Sequence, residues 1–174
     1  MRYFMDTEFV EDGRSIDLIS IGIVKEDGGY FYAQNLECDF SKANEWVRAN
    51  VLPHLTQFNM ETLSPIIGPD EEGGYGDWYN RAGIASRLSA RMAGTGVIQM
   101  PDPDVEIWGY YADYDWVVFC QLFGTMMDLP EGFPRYCRDL KQWCDALVNP
   151  RLPEQGKGEH HALLDARWNK QVYE

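Results

Sequence analysis

Two acidic residues near the start of the chain, Asp6 and Glu8, are separated by a single residue and follow an apolar run at residues 3–5. Side chains two positions apart in a β-strand point to the same face of the sheet, so a strand here would present both carboxylates side by side. The intervening Thr7 would point to the other face and pack. Such a pair of carboxylates is suited to holding a cation. Taken alone the spacing is weak evidence, because acidic residues at strand ends are often simply solvated.

Two further acidic segments follow, each at the end of a predicted element. The segment 111–115 comes after an apolar stretch and ends on an aspartate, and the segment 160–165 begins with two histidines and ends on an aspartate. Acidic residues at the ends of three separate elements are not typical of solvated surface residues without a function. They predict that the fold brings the three segments to one site.

Strands are expected to carry the first of these segments. Residues 2–9, 17–25 and 30–36 have the composition of strands, and the turn residues 26–29 are typical of a hairpin between the second and the third. A buried strand is predicted at 105–110. Short connections favour antiparallel pairing at first, and the later alternation of helix and strand predicts an α/β fold with a mixed sheet covered by helices.

Helical spacing and capping residues predict the remaining elements. Ser41, Asp77 and Asp113 are the expected N-cap residues of three helices, and residues 68–76 are expected to form a loop. The first predicted helix begins at Ser41 and ends before Pro53, and the second begins at Asp77 and ends near Gly94. Three further helices are predicted at residues 113–123, 139–147 and 162–173.

The composition is that of a globular chain with one domain, residues 1–174. Apolar residues make up 45% of the sequence and aromatic residues 14%, which suffices for a buried core and argues against disorder. No apolar run reaches the length of a membrane span and no signal-peptide pattern opens the chain, so we expect a cytoplasmic protein without an anchor. Paired C-x-x-C spacing is absent, which favours reduced thiols over a zinc site or disulfides. The four cysteines are Cys38, Cys120, Cys137 and Cys144.

Three motifs in the acidic segments match a known pattern. They are D-x-E at Asp6 and Glu8, aromatic-x-x-aromatic-Asp ending at Asp115, and H-x-A-x-x-D from His160 to Asp165. Together they resemble the DEDDh branch of the RNase T-like 3′-to-5′ exonucleases, and the resemblance covers nearly the whole chain. Three longer stretches are similar to the small mycobacterial-type exoribonucleases: residues 6–9, 16–22 and 108–115.

The resemblance implies a ribonuclease H-like fold, in which helices flank a central mixed β-sheet. It implies that Asp6, Glu8, Asp115 and Asp165 hold two Mg²⁺ ions, with Mn²⁺ as a substitute, and these hard cations do prefer carboxylate oxygens. The implied reaction is two-metal-ion hydrolysis of single-stranded RNA 3′ ends or overhangs, which releases nucleoside 5′-monophosphates. A homodimer is expected because such families commonly form one.

The third motif offers two candidates for the general base. On a helix, His161 lies one turn before Asp165 and shares its face, so spacing alone favours His161 as its neighbour. The family pattern instead assigns the base to His160, because Ala162 and Asp165 then fall at the required offsets. An imidazole suits the role because it accepts a proton near neutral pH.

Substrate contacts are predicted next to the first motif. Phe9 follows the acidic pair directly, so its ring could stack on the terminal base with little sequence preference. Leu18 and Ile19, near the start of the second strand, could flank the same pocket. For all three residues, packing in the core is the simpler alternative, and the same holds for most of the tryptophans.

The net charge of −13 argues against a nucleic-acid partner, because proteins that track phosphates usually carry a basic surface. Two bound Mg²⁺ ions would supply about four positive charges at the site itself. Basic residues also concentrate near the third motif, where they could meet the backbone or could equally belong to a solvated, mixed-charge surface. They are Arg135, Arg138, Lys141, Arg151, Lys157, Arg167 and Lys170.

Two alternatives to an exoribonuclease remain open. One is a DNA 3′-to-5′ exonuclease of proofreading type, because no group that reads a 2′-hydroxyl is recognisable in the sequence. The other is a catalytically inactive nucleic-acid-binding module on the same fold, since fold does not determine function. The presence of all four carboxylates and a histidine in the third motif argues against the inactive module.

Overall fold

The computed structural model describes four stretches of the chain: residues 1–66, 77–92, 105–148 and 150–174. The loop predicted at 68–76 and the helix end predicted near Gly94 lie outside the described residues. The strands are β1 (Arg2–Glu11), β2 (Ile16–Lys25), β3 (Tyr30–Asn35), β4 (Phe58–Asn59), β5 (Ser64–Pro65), β6 (Trp78–Tyr79), β7 (Glu106–Gly109) and β8 (Arg138–Asp139). The α-helices are α1 (Glu45–Asn50), α2 (Arg81–Met92), α3 (Asp113–Gln121), α4 (Leu140–Ala146) and α5 (Ala162–Tyr173).

Six of the strands form one mixed sheet in the order β6-β3-β2-β1-β7-β8. Strand β2 pairs antiparallel with both β1 and β3, whereas β7 runs parallel to β1 and β8 parallel to β7. The hairpin between β2 and β3 turns at the predicted residues, where Gly28 adopts a φ of 93°. Helices lie against both faces of the sheet, so the predicted α/β fold with a central mixed sheet is confirmed.

The helix starts differ from the predicted caps. Asn44 caps α1 by accepting a hydrogen bond from the backbone N–H of Val47, and Ser41 lies in a separate 3₁₀ turn. Asn80 caps α2, because its side-chain oxygen accepts a hydrogen bond from the backbone N–H of Gly83, so Asp77 is not the cap. Asp113 is the first residue of α3 and makes no capping bond. In these three cases an acidic or hydroxyl residue near the helix start was the expected cap, but the backbone enters helical geometry at another position.

Helix α5 packs across β1 and β2 on one face of the sheet. Its N-terminus is in close contact with β2, because a Cβ added to Gly22 would lie 2.3 Å from the carbonyl oxygen of Ala162. Helices α2 and α3 cover the opposite face, where Ile84, Leu88 and Phe119 join the largest apolar core. Strand β1 is therefore buried between two helical layers, and each of its faces meets a different helix.

Within the described stretches, we find no helix that is both long enough and apolar enough to cross a membrane. All four cysteines are free thiols, as their spacing predicted.

Candidate active site

Asp6 and Glu8 lie on β1, on the face covered by α5. Asp6 is opposite Gly22 and Glu8 is opposite Ser20 in the antiparallel pair with β2, and a β-bulge follows directly after Glu8. Glu8 is only 9% exposed. The alternation of the strand thus places both carboxylates on one face, as predicted from the sequence.

Asp115 approaches the same place from the other helical layer. It is the third residue of α3 and is buried. One of its carboxylate oxygens accepts hydrogen bonds from Thr7, at 2.8 Å from the backbone N–H and 2.6 Å from the hydroxyl. Thr7 is buried, as expected for a residue on the opposite face to Asp6. Its two hydrogen bonds also hold Asp115 beside β1, where Asp115 lines the same cleft as Asp6 and Glu8.

Asp165 completes the group from the first turn of α5. Its two carboxylate oxygens accept separate hydrogen bonds, one at 2.5 Å from the side-chain amide of Gln155 and one at 2.8 Å from the backbone N–H of His160. One turn later, Asn169 is buried and donates from its side chain to the backbone oxygen of Met5 at 2.9 Å. This bond ties α5 to β1 next to the first motif, so the position of Asp165 is fixed relative to Asp6.

The two adjacent histidines occupy different environments. His160 has a φ of 68°, in the left-handed region, and its ring meets the ring of Trp46 edge-on at 4.7 Å. His161 caps α5, with its Nδ1 accepting from the N–H of Leu163, and stacks on Tyr32 at 4.7 Å. His160 therefore lies on the side of the acidic residues of β1, whereas His161 lies against Tyr32 of β3.

These groups line one cleft of about 460 Å³. One ligand atom each from Glu8, His160 and Asp165 lies within 4.8 Å of the other two, which is a spacing that one metal ion can bridge. Asp6 and Asp115 line the same cleft outside that close group. Among the described residues that line the cleft there are five acidic side chains, the fifth being Glu11, and no lysine or arginine.

Burial and mutual repulsion perturb all four motif carboxyls. Burial raises the pKa of Glu8 to about 8, helped by the charges of Asp165 and Asp115. Burial also raises the pKa of Asp115 to about 6, against the opposing effect of its hydrogen bonds from Thr7. The pKa values of Asp6 and Asp165 are raised as well, chiefly by burial. The raised pKa values indicate that ionising these carboxyls is costly in the folded protein, so a cation bound among them would strongly stabilise their ionised forms.

Of the three predicted substrate contacts, one lines the cleft and two are buried elsewhere. Phe9 lines the cleft and meets Tyr114 edge-on at 5.8 Å. Leu18 and Ile19 are 1% and 0% exposed, belong to two apolar cores and do not line the cleft. The packing alternative therefore describes these two residues better, because a side chain without exposed surface cannot contact a substrate unless the fold opens.

Other cleft residues were missed by the sequence analysis. Most of the tryptophans were expected to pack in the core, yet Trp46 is 53% exposed and forms one wall of the cleft against His160. Gln155 and Asn169 also line the cleft. Nothing near Trp46 or Gln155 marks either residue, but Asn169 lies four positions after Asp165 on the same helix, and that spacing could have indicated it.

Comparison with known proteins assigns the chain to a family. No protein-family model matches it. Two curated proteins of Mycobacterium tuberculosis, the 3′-5′ exoribonucleases Rv2179c and MT2234.1 from two strains, are each 40% identical over 169 residues, covering 96% of this chain and 88% of theirs. A chain in the structure of the yeast NOT1 MIF4G domain co-crystallized with CAF1 matches 98% of this chain and 78% of its own, at 17% identity and a TM-score of 0.45, a similarity too low to bear on the fold. At 40% identity over nearly the whole length of both proteins, the chain belongs to the family of enzymes represented by these mycobacterial 3′-5′ exoribonucleases.

Proposed function

We propose that this protein is a metal-dependent 3′-to-5′ exoribonuclease of the DEDDh type, with residues 1–174 forming one exonuclease domain of ribonuclease H-like fold. It would remove nucleoside 5′-monophosphates from single-stranded 3′ ends or overhangs of RNA. The observation that carries the proposal is the convergence of four carboxylates and His160 in one cleft, in a chain related to named exoribonucleases.

The donor set fits divalent magnesium or manganese. Asp6, Glu8, Asp115 and Asp165 supply only oxygen ligands, and the described residues that line the cleft include no lysine or arginine to neutralise them. Hard cations with oxygen preference suit such a set, whereas zinc sites draw on cysteine and several histidines. Two such ions would polarise the scissile phosphate, lower the pKa of the attacking water and neutralise the leaving 3′-oxygen.

The protein side chains would then orient the substrate and move the proton. His160 lies at the mouth of the cleft with its backbone N–H held by Asp165, so its ring can take a proton from the attacking water as general base. Trp46 limits the positions that this ring can adopt. Phe9 offers an aromatic surface beside the carboxylates on which a terminal base can stack.

A DNA exonuclease is the second candidate, because no described contact in the cleft is dedicated to a 2′-hydroxyl. The test is digestion of 5′-labelled RNA and DNA 12-mers of one sequence with Mg²⁺, Mn²⁺ or EDTA. We expect a ladder that shortens from the 3′ end of RNA, nucleoside 5′-monophosphates as products, and no reaction in EDTA. Faster digestion of DNA would favour the second candidate, and no digestion of either would favour the inactive module.

The expected homodimer stays a prediction, which light scattering coupled to size-exclusion chromatography would test.

A further inference from the structure

A second groove, of about 730 Å³, opens beside the outer edge of β3. We call it the β3 groove and define it by Tyr30, Tyr32, Arg87, Arg91 and His161, which line it, and by Arg167, whose guanidinium carbon lies 5.1 Å from the ring centre of Tyr30. Among the described residues, β6 pairs with β3 only at residues 34 and 35, so the described part of the chain leaves the outer edge of residues 30–33 without a neighbouring strand.

The three arginines of the β3 groove rest on aromatic rings and are exposed. The guanidinium carbon of Arg87 lies 4.0 Å from the ring centre of Tyr79, and that of Arg91 lies 5.3 Å from Phe31. In the described part of the chain, neither these two nor Arg167 forms a salt bridge. Arg87 and Arg91 each donate one N–H to a backbone carbonyl oxygen, at 3.3 Å and 3.2 Å, and stacking orients each guanidinium so that its remaining N–H groups can meet an external acceptor.

Positive charge is scarce in this protein, whose net charge is −13. Several of the basic residues expected near the third motif are neutralised: Arg138 pairs with Glu106, and Lys141 and Lys170 each pair with an acidic residue one turn away. Asp77 is the one acidic residue among the described residues that line the β3 groove. The groove therefore concentrates positive charge that is available to a ligand.

The β3 groove lies close to the catalytic cleft, on the other side of the N-terminus of α5. His160 lines the cleft and the next residue, His161, lines the groove. Across the sheet, Asp6 is opposite Gly22 and Gly22 is opposite Tyr32, so the two regions are separated by two strand spacings, about 10 Å. A short single strand can bridge that distance around the N-terminus of α5.

We propose that the β3 groove binds the RNA strand on the 5′ side of the nucleotide that is being removed. The guanidinium groups of Arg87, Arg91 and Arg167 would hold its phosphates, and Tyr30, which is 56% exposed, would offer a stacking surface to a base. The proposal rests on the proposed exoribonuclease function and extends it to the body of the substrate. It predicts that strand length affects binding through this groove alone, while the terminal phosphodiester is cleaved by the acidic cleft.

The test compares two triple variants with equal charge changes. One combines Arg87→Ala, Arg91→Ala and Arg167→Ala. The matched control combines Arg14→Ala, Arg135→Ala and Arg151→Ala, three exposed arginines outside the groove. Initial rates are measured on an RNA dinucleotide and on an RNA 12-mer, over a range of salt concentrations.

We expect the groove variant to raise KM for the 12-mer about tenfold, with kcat and dinucleotide cleavage unchanged. The slope of log KM against log salt should become shallower by about two, because each phosphate contact on a single strand contributes about 0.7. Equal effects of the two triple variants on the 12-mer, or equal losses on 12-mer and dinucleotide, would overturn the proposal. If the triple variant does not fold, the single Arg167→Ala variant should raise KM about threefold, and an unchanged KM there would count equally against it.

Binding separates this proposal from the catalytic one. Fluorescence anisotropy of a labelled 12-mer is measured with both triple variants in an Asp6→Asn background, where turnover is not needed. Weaker binding of the groove variant alone supports the groove even if the wild type proves to cleave no RNA. Equal binding of both variants refutes the groove even if the wild type is an active exoribonuclease.

Discussion

The catalytic cleft and the β3 groove lie on either side of the start of α5 and have opposite charge. The cleft presents five acidic side chains and, among its described lining residues, no lysine or arginine. The groove presents arginines that rest on aromatic rings and, among its described lining residues, a single acidic side chain, Asp77. Adjacent histidines mark the boundary, since His160 faces the cleft and His161 faces the groove.

This difference indicates how an acidic protein can act on a polyanion. Under the proposed mechanism, a phosphate enters the cleft favourably only when cations neutralise its carboxylates, so we expect affinity for the reacting phosphate to depend on metal. The groove carries its own positive charge and needs no metal. Catalysis and strand binding are thus expected to respond to different perturbations.

The largest effect is expected from Asp6→Asn in the cleft. This substitution removes one negative charge with little change of shape, and we expect kcat to fall about a thousandfold, the scale of losing a group that organises transition-state charge. RNA 12-mer binding through the groove should persist. Asp145→Asn, on the exposed face of α4, is the matched control and should retain wild-type kcat. Single-turnover rates at saturating metal measure both, and a near-normal rate for Asp6→Asn would refute the proposed ligand set.

The next effect separates the two histidines at the boundary. His160→Ala should lower the rate about a hundredfold, a typical loss for a general base, while metal binding persists. His161→Ala removes the stack on Tyr32 and should lower the rate only a few-fold. Single-turnover kinetics with folded, metal-loaded variants provide the measurement. The reverse ranking would mean that the neighbour chosen by helical spacing, His161, is the base.

A smaller effect concerns stability and pH. Because the pKa values of Glu8, Asp6, Asp115 and Asp165 are raised in the folded state, the folded protein keeps protons there that the unfolded chain loses above about pH 4. The contribution of these groups to stability is therefore present at low pH and is lost as pH rises towards 8. Metal at a hundred times its Kd should raise Tm by about 5–10 °C.

Thermal unfolding between pH 5 and 8, with and without Mg²⁺, checks this expectation. The difference in Tm between the two series should grow with pH, since protons compete with the metal for the same oxygens. The Glu8→Gln variant should show a flatter metal-free curve. Parallel curves at all pH values would contradict the raised pKa values.

Local patterns predicted the longer strands and the helices of this fold, but not the two-residue strands β4, β5, β6 and β8. The observed bounds of α5 are the predicted ones, and the hairpin between β2 and β3 turns where its glycines indicated. The caps were less predictable: Asn44 and Asn80 are the observed caps where Ser41 and Asp77 were expected. Several residues near a helix start can cap it, and tertiary packing decides where the helix begins.

The candidate site shows the same division. The motif carboxylates could be named because their spacing along β1, α3 and α5 is a local property, and the family resemblance links the three motifs. The hydrogen bonds of Asp115 with Thr7 and of Asp165 with Gln155 depend on contacts between distant elements, which no local pattern encodes. Leu18 and Ile19 were expected to flank the pocket because they lie near the start of the second strand, but that strand buries both.

The most direct test of the account is a calorimetric titration of the metal-free protein with Mn²⁺ at pH 7, in buffers of different ionisation enthalpy. Because the pKa of Glu8 lies near 8, this carboxyl is mostly protonated at pH 7 and must lose its proton to become a ligand. We predict two bound ions per chain, release of at least one proton, and loss of both signals in Asp165→Asn combined with Glu8→Gln. Absence of Mn²⁺ binding to the wild type, or binding that the double variant retains unchanged, would contradict the account.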